Sequence, residues 1–416
     1  MATRNITRRG VIATALAAGV AGGVRGEEKK VNSASWDSIV VGAGVFGAWT
    51  AWHLRKAGQR VLLLDPTGAA HARASSGGES RLTRGSYGSD EIYTRMAADS
   101  LASWKWLSDL SGLPILHRTG VLFFFQKREP YVDQSLEVHR RLALPTQELD
   151  RAALETRYPQ LYWKDIEVAL LEPDFGVLMA RRAVQTLVKL FVKAGGEYRL
   201  AAALPPDASA PLQQLELSDG SKVSATNYLF ACGPWLPKIF AHLLGPRIFL
   251  TRQEVFFFAA PAGDARFGAA SLPGWADFNN GDIYYGMPDL ESRGFKIAHD
   301  KHGPPIDPDR GDRVASPGAL TDVRAYMARR FPALANAPLN EERVCQYENS
   351  SNGDLLIDRH PNASNVWLVG AGSGHGFKHG PEVGRYAAEL LTGKLKKVEP
   401  RFSLATKAEQ QNRAVH

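Results

Sequence analysis

Ser38-Ile-Val-Val-Gly42-Ala-Gly44-Val-Phe-Gly47 is the stretch on which the fold turns. Its first residues read as a buried strand that runs into a glycine-rich loop. A helical segment follows to Ala57, with Gly58 placed to stop it. Arg60-Val-Leu-Leu-Leu-Asp65 then reads as a second buried strand ending in an acid. Strand, Gly-x-Gly-x-x-Gly, helix, strand and acid, in that order, form the dinucleotide fingerprint in its required context. Gly42 permits the tight turn, Gly44 lets backbone N–H groups approach a pyrophosphate, and Gly47 lets the helix sit close to the sheet. The helix N-terminus favours phosphate charge. Asp65, 23 positions after Gly42, can accept hydrogen bonds from ribose hydroxyls. The pattern alone does not say which dinucleotide is bound.

Two later segments read as returns to the same sheet. Asn227-Tyr-Leu-Phe-Ala-Cys232-Gly233 is a strand entering a glycine turn, and Asn365-Val-Trp-Leu-Val-Gly370 is another. The second continues through Gly372, Gly374, His375, Gly376 and Phe377 to Lys378, before a helix that begins near Pro381 and stops at Gly393. The intervening stretches alternate β-branched and aromatic residues, as in Gln253-Glu-Val-Phe-Phe-Phe258. The expected class is α/β (α+β overall): a Rossmann-like dinucleotide domain from residues 36–115, 171–247 and 350–396, and a mixed-sheet substrate domain from 116–170 and 248–349. Residues 397–416 read as a polar tail, frayed from Lys407.

The 416 residues are 44% hydrophobic and 22% charged, an ordinary composition for a globular enzyme of about two domains. The net charge of +7 raises a nucleic-acid reading, but residues 1–30 carry six basic residues and two acids, and no long Lys/Arg run follows. Nucleic acid is therefore not an expected partner. Arg8-Arg9 precedes an uncharged run from Val11 to Val24. As a helix that run reaches only about 21 Å, short of the roughly 30 Å hydrocarbon core, so stable membrane insertion is not expected. The pair resembles a bacterial twin-arginine export signal and predicts a periplasmic protein, with residues 1–35 as signal and linker; without a working signal the chain stays cytoplasmic. Two cysteines, Cys232 and Cys345, are too few for a disulfide framework or structural zinc site, although a single bridge between them is open.

Five separated stretches together resemble the monomeric sarcosine oxidase family of D-amino-acid-oxidase-like flavoproteins. They are Val41 to Gly47; Ser75-Ser76-Gly-Gly-Glu-Ser80-Arg81-Leu82-Thr-Arg84 with Tyr87-Gly88; Gly294-Phe-Lys296-Ile-Ala-His299; Val344-Cys345-Gln-Tyr347; and Ser373 to Lys378. The resemblance makes the dinucleotide FAD. It implies that Val45, Phe46, Ser76, Ser80, Arg81, Leu82, Gly233 and Trp235 join the glycine loops and Asp65 in holding it.

The resemblance also assigns the chemistry. Arg84 and Lys378 match the groups that hold the substrate carboxylate, with Lys378 also beside the flavin. A guanidinium fork and a point charge suit that task. On a helical turn Arg81 and Arg84 would share roughly one face. Cys345 matches a cysteine that forms a thioether to the flavin, and Tyr347, on the same strand face, lines the substrate pocket. Lys296 matches a lysine above the flavin, where a fixed cation stabilises the anion formed as dioxygen takes an electron. His299 is a further catalytic candidate. The glycine loop Gly372 to Gly376 and the following helix start supply positive potential for a reduced, anionic flavin.

Two positions depart from the family pattern. Gly77 stands where relatives carry a histidine beside the flavin, and Asp300 where they carry a pocket histidine. The expected function is oxidation of a secondary amino acid, N-methyl or cyclic, such as sarcosine, to an imine by a monomer, with dioxygen reduced to hydrogen peroxide. One alternative is a periplasmic dehydrogenase that passes electrons to a quinone or cytochrome. Another is a flavin-bearing binding protein without turnover.

Overall fold

The computed structural model describes residues 35–411. The expected export signal, with Arg8-Arg9, lies outside the described residues. The fingerprint stretch forms strand Trp36–Val41, helix Val45–Lys56 and strand Val61–Asp65. Ile39, Val40 and Val61 to Leu64 are fully buried, because packed layers cover both faces of this parallel sheet. Gly42 adopts φ 102°, the left-handed region that glycine enters without steric cost. A Cβ on Gly47 would lie 1.9 Å from the Gly42 carbonyl oxygen, so only glycine lets the helix start this close to the strand.

The six-stranded sheet runs Leu356–Arg359, Val366–Gly370, Ala225–Phe230, Trp36–Val41, Val61–Asp65, Glu197–Leu200. Its pairings are parallel except the first, which is antiparallel. Helix Gly380–Leu391 packs on Val45–Lys56 at glycine: a Cβ on Gly384 would lie 2.5 Å from Trp49 Cβ. This is the Rossmann-like α/β layer that the fingerprint predicts.

The eight-stranded mixed sheet runs Leu339–Ser350, Ile248–Phe258, Phe295–His299, Tyr284–Met287, Gly274–Asp277, Val121–Phe125, Val168–Glu172, Gln147–Asp150. The two-residue period of its strands assigns each side chain to one face. Phe256, Phe295 and Ile297 face helix Pro317–Arg330 and pack with Trp275, Tyr326 and Phe331. Behind them a buried ion pair ties that helix to the sheet: Arg330 Nη2 donates to Asp277 Oδ2 at 3.0 Å, and the Tyr326 hydroxyl donates to the same oxygen at 2.8 Å. Gln253, Val255, Phe257, Lys296, Cys345 and Tyr347 face the other way, into a cavity.

Strand Val168–Glu172 straddles the expected segment boundary at residue 170, and the small sheet Ser80–Thr83, Gly176–Met179, Leu116–His117 draws strands from both expected domains. Two expectations are corrected. Arg81 and Arg84 do not share a helical turn: Ser80–Thr83 is a strand, held antiparallel to Gly176–Met179. The stretch from Lys407 is not frayed at its start, since Lys407 is fully buried and its ammonium donates to Arg401 O at 2.7 Å. Among the described residues no helix is long and apolar enough to cross a membrane.

Candidate active site

The cavity between the two large sheets has a volume of about 880 Å³. At one end lie Gly42, Gly44, Val45 and Phe46, where helix Val45–Lys56 starts with no acidic residue in its first turn and no capping side chain on Gly44. That leaves positive helix-end potential for an anion. The Val45 N–H donates to Ser76 Oγ at 3.0 Å, which joins this end to the Ser75–Gly77 turn. Asp65 lines the same end, and its carboxylate accepts N–H bonds from Ala43, Thr67 and Gly68. It therefore shapes the loops on either side while facing the cavity.

The middle of the cavity is walled by Arg81, Leu82, Gly233, Trp235, Cys345 and the loop Gly372 to Phe377. Arg81 Nη2 lies 3.5 Å from Cys345 Sγ. Cys232 and Cys345 are both free thiols. Gly77 has a local reason: a Cβ there would lie 2.0 Å from the His71 carbonyl oxygen, so no histidine fits without moving the backbone. Lys296 is buried, and its ammonium donates to Ser80 O at 2.9 Å, with the Phe257 ring 5.6 Å away. Burial first, and then the Arg81 charge, hold the Lys296 pKa well below the usual lysine range.

Arg84 and Lys378, which both line the cavity, flank Tyr87. The Arg84 guanidinium lies 4.1 Å from the Tyr87 ring centre, and Lys378 Nζ donates to the Tyr87 hydroxyl at 2.7 Å. Burial, reinforced by Arg84, pushes the Lys378 pKa well below its ordinary value. Two cations forced together in a desolvated pocket make a receptor for an anion. Across from them Tyr347 donates to Asp300 Oδ1 at 3.1 Å.

Three expected site residues do not line the cavity. Gly47 packs under the loop, Ser80 is the buried acceptor behind Lys296, and His299 points away. The last is a correction with a simple cause. In strand Phe295–His299, Lys296 and Ala298 face the cavity, so His299 takes the opposite face. There it stacks on Tyr284 and bridges Asp282 and Asp322. The structure adds Tyr285 and Glu348 to the cavity lining and Tyr87 as the group that Arg84 and Lys378 contact, none of which carried a role on sequence grounds. A tyrosine in an aromatic strand pattern looks like core, and only the face it takes reveals more. Glu348 is buried, its carboxyl pushed up to about 8 by desolvation, and its Oε1 has no hydrogen-bond partner among the described residues.

A phosphate-receptive loop opening into a cavity with fixed, buried cations defines a dinucleotide-dependent enzyme. The comparisons carry this further. The family described as FAD dependent oxidoreductase (DAO) matches residues 37–390. Monomeric sarcosine oxidase of Bacillus sp. (strain B-0618) is 30% identical over 369 residues, covering 87% of this chain and 94% of that protein. N-methyl-L-tryptophan oxidase of Citrobacter koseri is 29% identical over 378 residues, covering 89% and 97% respectively. In fold, the chain is similar to L-proline dehydrogenase from P. horikoshii, with a TM-score of 0.76 at 19% identity over 89% of this chain and 97% of that one. The chain belongs to the DAO family of FAD-dependent oxidoreductases, and it is an FAD-dependent amine oxidoreductase of the sarcosine oxidase-like kind.

The residues present fit FAD. The helix start, with no acidic residue in its first turn, suits the pyrophosphate, and Glu348 Oε1, without a hydrogen-bond partner among the described residues, is a polar group that a bound molecule in this cavity can satisfy.

Proposed function

We propose that the protein oxidises a secondary amino acid, N-methyl or cyclic, to an imine, and that dioxygen takes up the electrons as hydrogen peroxide. The observation that carries this reading is the pair Arg84 and Lys378 in the cavity that also holds Lys296 and Cys345. The activities for which the related sarcosine and N-methyl-L-tryptophan oxidases are named agree with it. FAD supplies acceptance of a hydride equivalent; the chain's own residues supply the rest. Arg84 and Lys378 grip the carboxylate and fix the C–H bond next to nitrogen, a positioning effect. Tyr347 and Tyr285 wall the space beside it, and Phe257 and Met287 exclude water from around Lys296. Lys296 presents its ammonium where negative charge develops on dioxygen. The test is anaerobic: the holoprotein is mixed with a panel of N-methyl and cyclic amino acids, and the flavin absorbance is followed. Bleaching by at least one, and peroxide on readmitting air, is expected. Bleaching by none overturns the reading, and bleaching followed by slow reoxidation in air points to another electron acceptor.

Cys345 is the proposed point of attachment for the flavin, since its thiol faces the cavity beside Arg81. Acid-precipitated, flavin-loaded protein should keep its yellow colour in the pellet, and Cys345→Ser should release the flavin to the supernatant. A colourless wild-type pellet reduces Cys345 to a packing residue. Export is the remaining element of the proposal: replacing Arg8 and Arg9 with Lys should hold the protein in the cytoplasm, and unaltered periplasmic delivery would argue against it.

A further inference from the structure

The pocket that gathers Arg84 and Lys378 also contains a carboxylate that the reaction as described so far does not use. Asp300 follows strand Phe295–His299 directly, and its N–H donates to Ile283 O at 2.7 Å, which fixes the residue at the strand end. The two-residue period that turns His299 outward turns Asp300 inward, and Asp300 lines the cavity. Arg84 and Lys378 line the same cavity, so the three side chains share one region. An α-amino acid carries its own opposite charges one carbon apart. A cavity lined by two basic side chains and one carboxylate carries the groups that complement a zwitterion.

We propose that Asp300 binds the substrate nitrogen as an ammonium and then takes its proton, so that the site captures the abundant zwitterion and presents the free amine. The inference rests on the amine substrate proposed above. The chemistry requires such a step: an ammonium has no lone pair to expel a hydride from the adjacent carbon, whereas a neutral amine has. In the transfer one N–H bond breaks, its electron pair stays on nitrogen, and the proton passes to an Asp300 oxygen. Nothing is oxidised or reduced. Tyr347, which donates to Oδ1, leaves Oδ2 for the substrate.

The charged and titratable groups around Asp300 are consistent with a base. Burial raises its carboxyl above the ordinary aspartate value, and Tyr347, Arg84, His299 and Lys378 pull the other way. Tyr285 lies beside Tyr347, and burial raises both phenols, so neither competes for the proton. Glu172, behind Arg84, accepts bonds from the Gly85 N–H and the Ser86 hydroxyl. His299 is tied to Asp282 and Asp322 on the far face of the sheet.

The test uses the flavin-loaded holoprotein and the change in flavin absorbance on binding. Its probes are trimethylglycine, a permanent cation with no N–H, and 3,3-dimethylbutanoate, the same shape with neutral carbon for nitrogen. The unaltered protein should bind the cation about ten- to hundred-fold more tightly, the range for a charge-assisted contact. Asp300→Asn should erase that preference, and Asp300→Glu should restore part of it. With an amine that bleaches the flavin, the apparent Kd for Asp300→Asn should rise tenfold for each pH unit below the amine's own pKa, because only free amine then binds productively. The unaltered protein should change far less. Equal affinity for the two probes in the unaltered protein overturns the proposal without any variant, as does an Asn variant that keeps the preference. If no amine bleaches the flavin, the proposed function fails, while the probe pair still decides what Asp300 recognises.

Discussion

Lys296→Met should accept electrons from substrate at a rate close to that of the unaltered protein and reoxidise in air about a hundred- to thousand-fold more slowly. The side chain is fully enclosed, with Phe257 at 5.6 Å and Ser80 O as its acceptor, so its charge acts through a poorly screening medium. Methionine keeps the length and apolar stem and removes only the ammonium. Its loss withdraws the stabilisation of negative charge forming on dioxygen, about 2.7–4 kcal/mol for one fixed group of this kind. A pH dependence follows from the depressed pKa of Lys296. The cation is present below that pKa and lost above it, so reoxidation of the unaltered protein should slow as pH rises through it, and the Met variant should lack that slope. Rapid mixing separates the two half-reactions. Unimpaired reoxidation in Lys296→Met would make Lys296 a buried strand residue with no part in the reaction with dioxygen.

Arg84→Ala and Lys378→Ala should each raise the dissociation constant of a carboxylate ligand about ten- to hundred-fold while FAD stays bound. Each variant deletes one charge-assisted contact, worth about 1.5–3 kcal/mol. The two residues are not equivalent. Arg84 stays charged throughout, whereas Lys378 is held well below its usual pKa by burial and by Arg84. An incoming carboxylate favours the protonated lysine, so binding should take up a proton and weaken as pH rises through the lowered pKa. In Arg84→Ala that weakening should move to higher pH, because burial still depresses Lys378 but the added repulsion of Arg84 is gone. Titration of a non-reacting carboxylate against flavin absorbance measures both effects. If neither variant loses affinity, this part of the cavity is not the anion site.

The dinucleotide layer is written in local sequence. Residues 38–65 encode it locally: a run of β-branched residues buried on both sides, glycines at the turn and at the helix contact, and an acid at the next strand end. Each of these features depends on near neighbours, so pattern and structure coincide. The alternation of Cys345 and Tyr347 was legible for the same reason, since one strand fixes which residues share a face. Features that depend on distant partners appear only in the folded chain. Arg81 and Arg84 lie in and beside a strand because Gly176–Met179 supplies its hydrogen bonds from far along the chain. Asp300 lines the cavity, as its match to a pocket position implied, while His299, a candidate on sequence, faces away because the register of Phe295–His299 against Tyr284–Met287 and Ile248–Phe258 fixes which face looks into the cavity. The gathering of Arg84, Asp300 and Lys378 around one cavity joins three chain segments, and burial shifts the pKa values of Asp300 and Lys378; local sequence carries no signal for those shifts, because desolvation exists only once the sheets have closed.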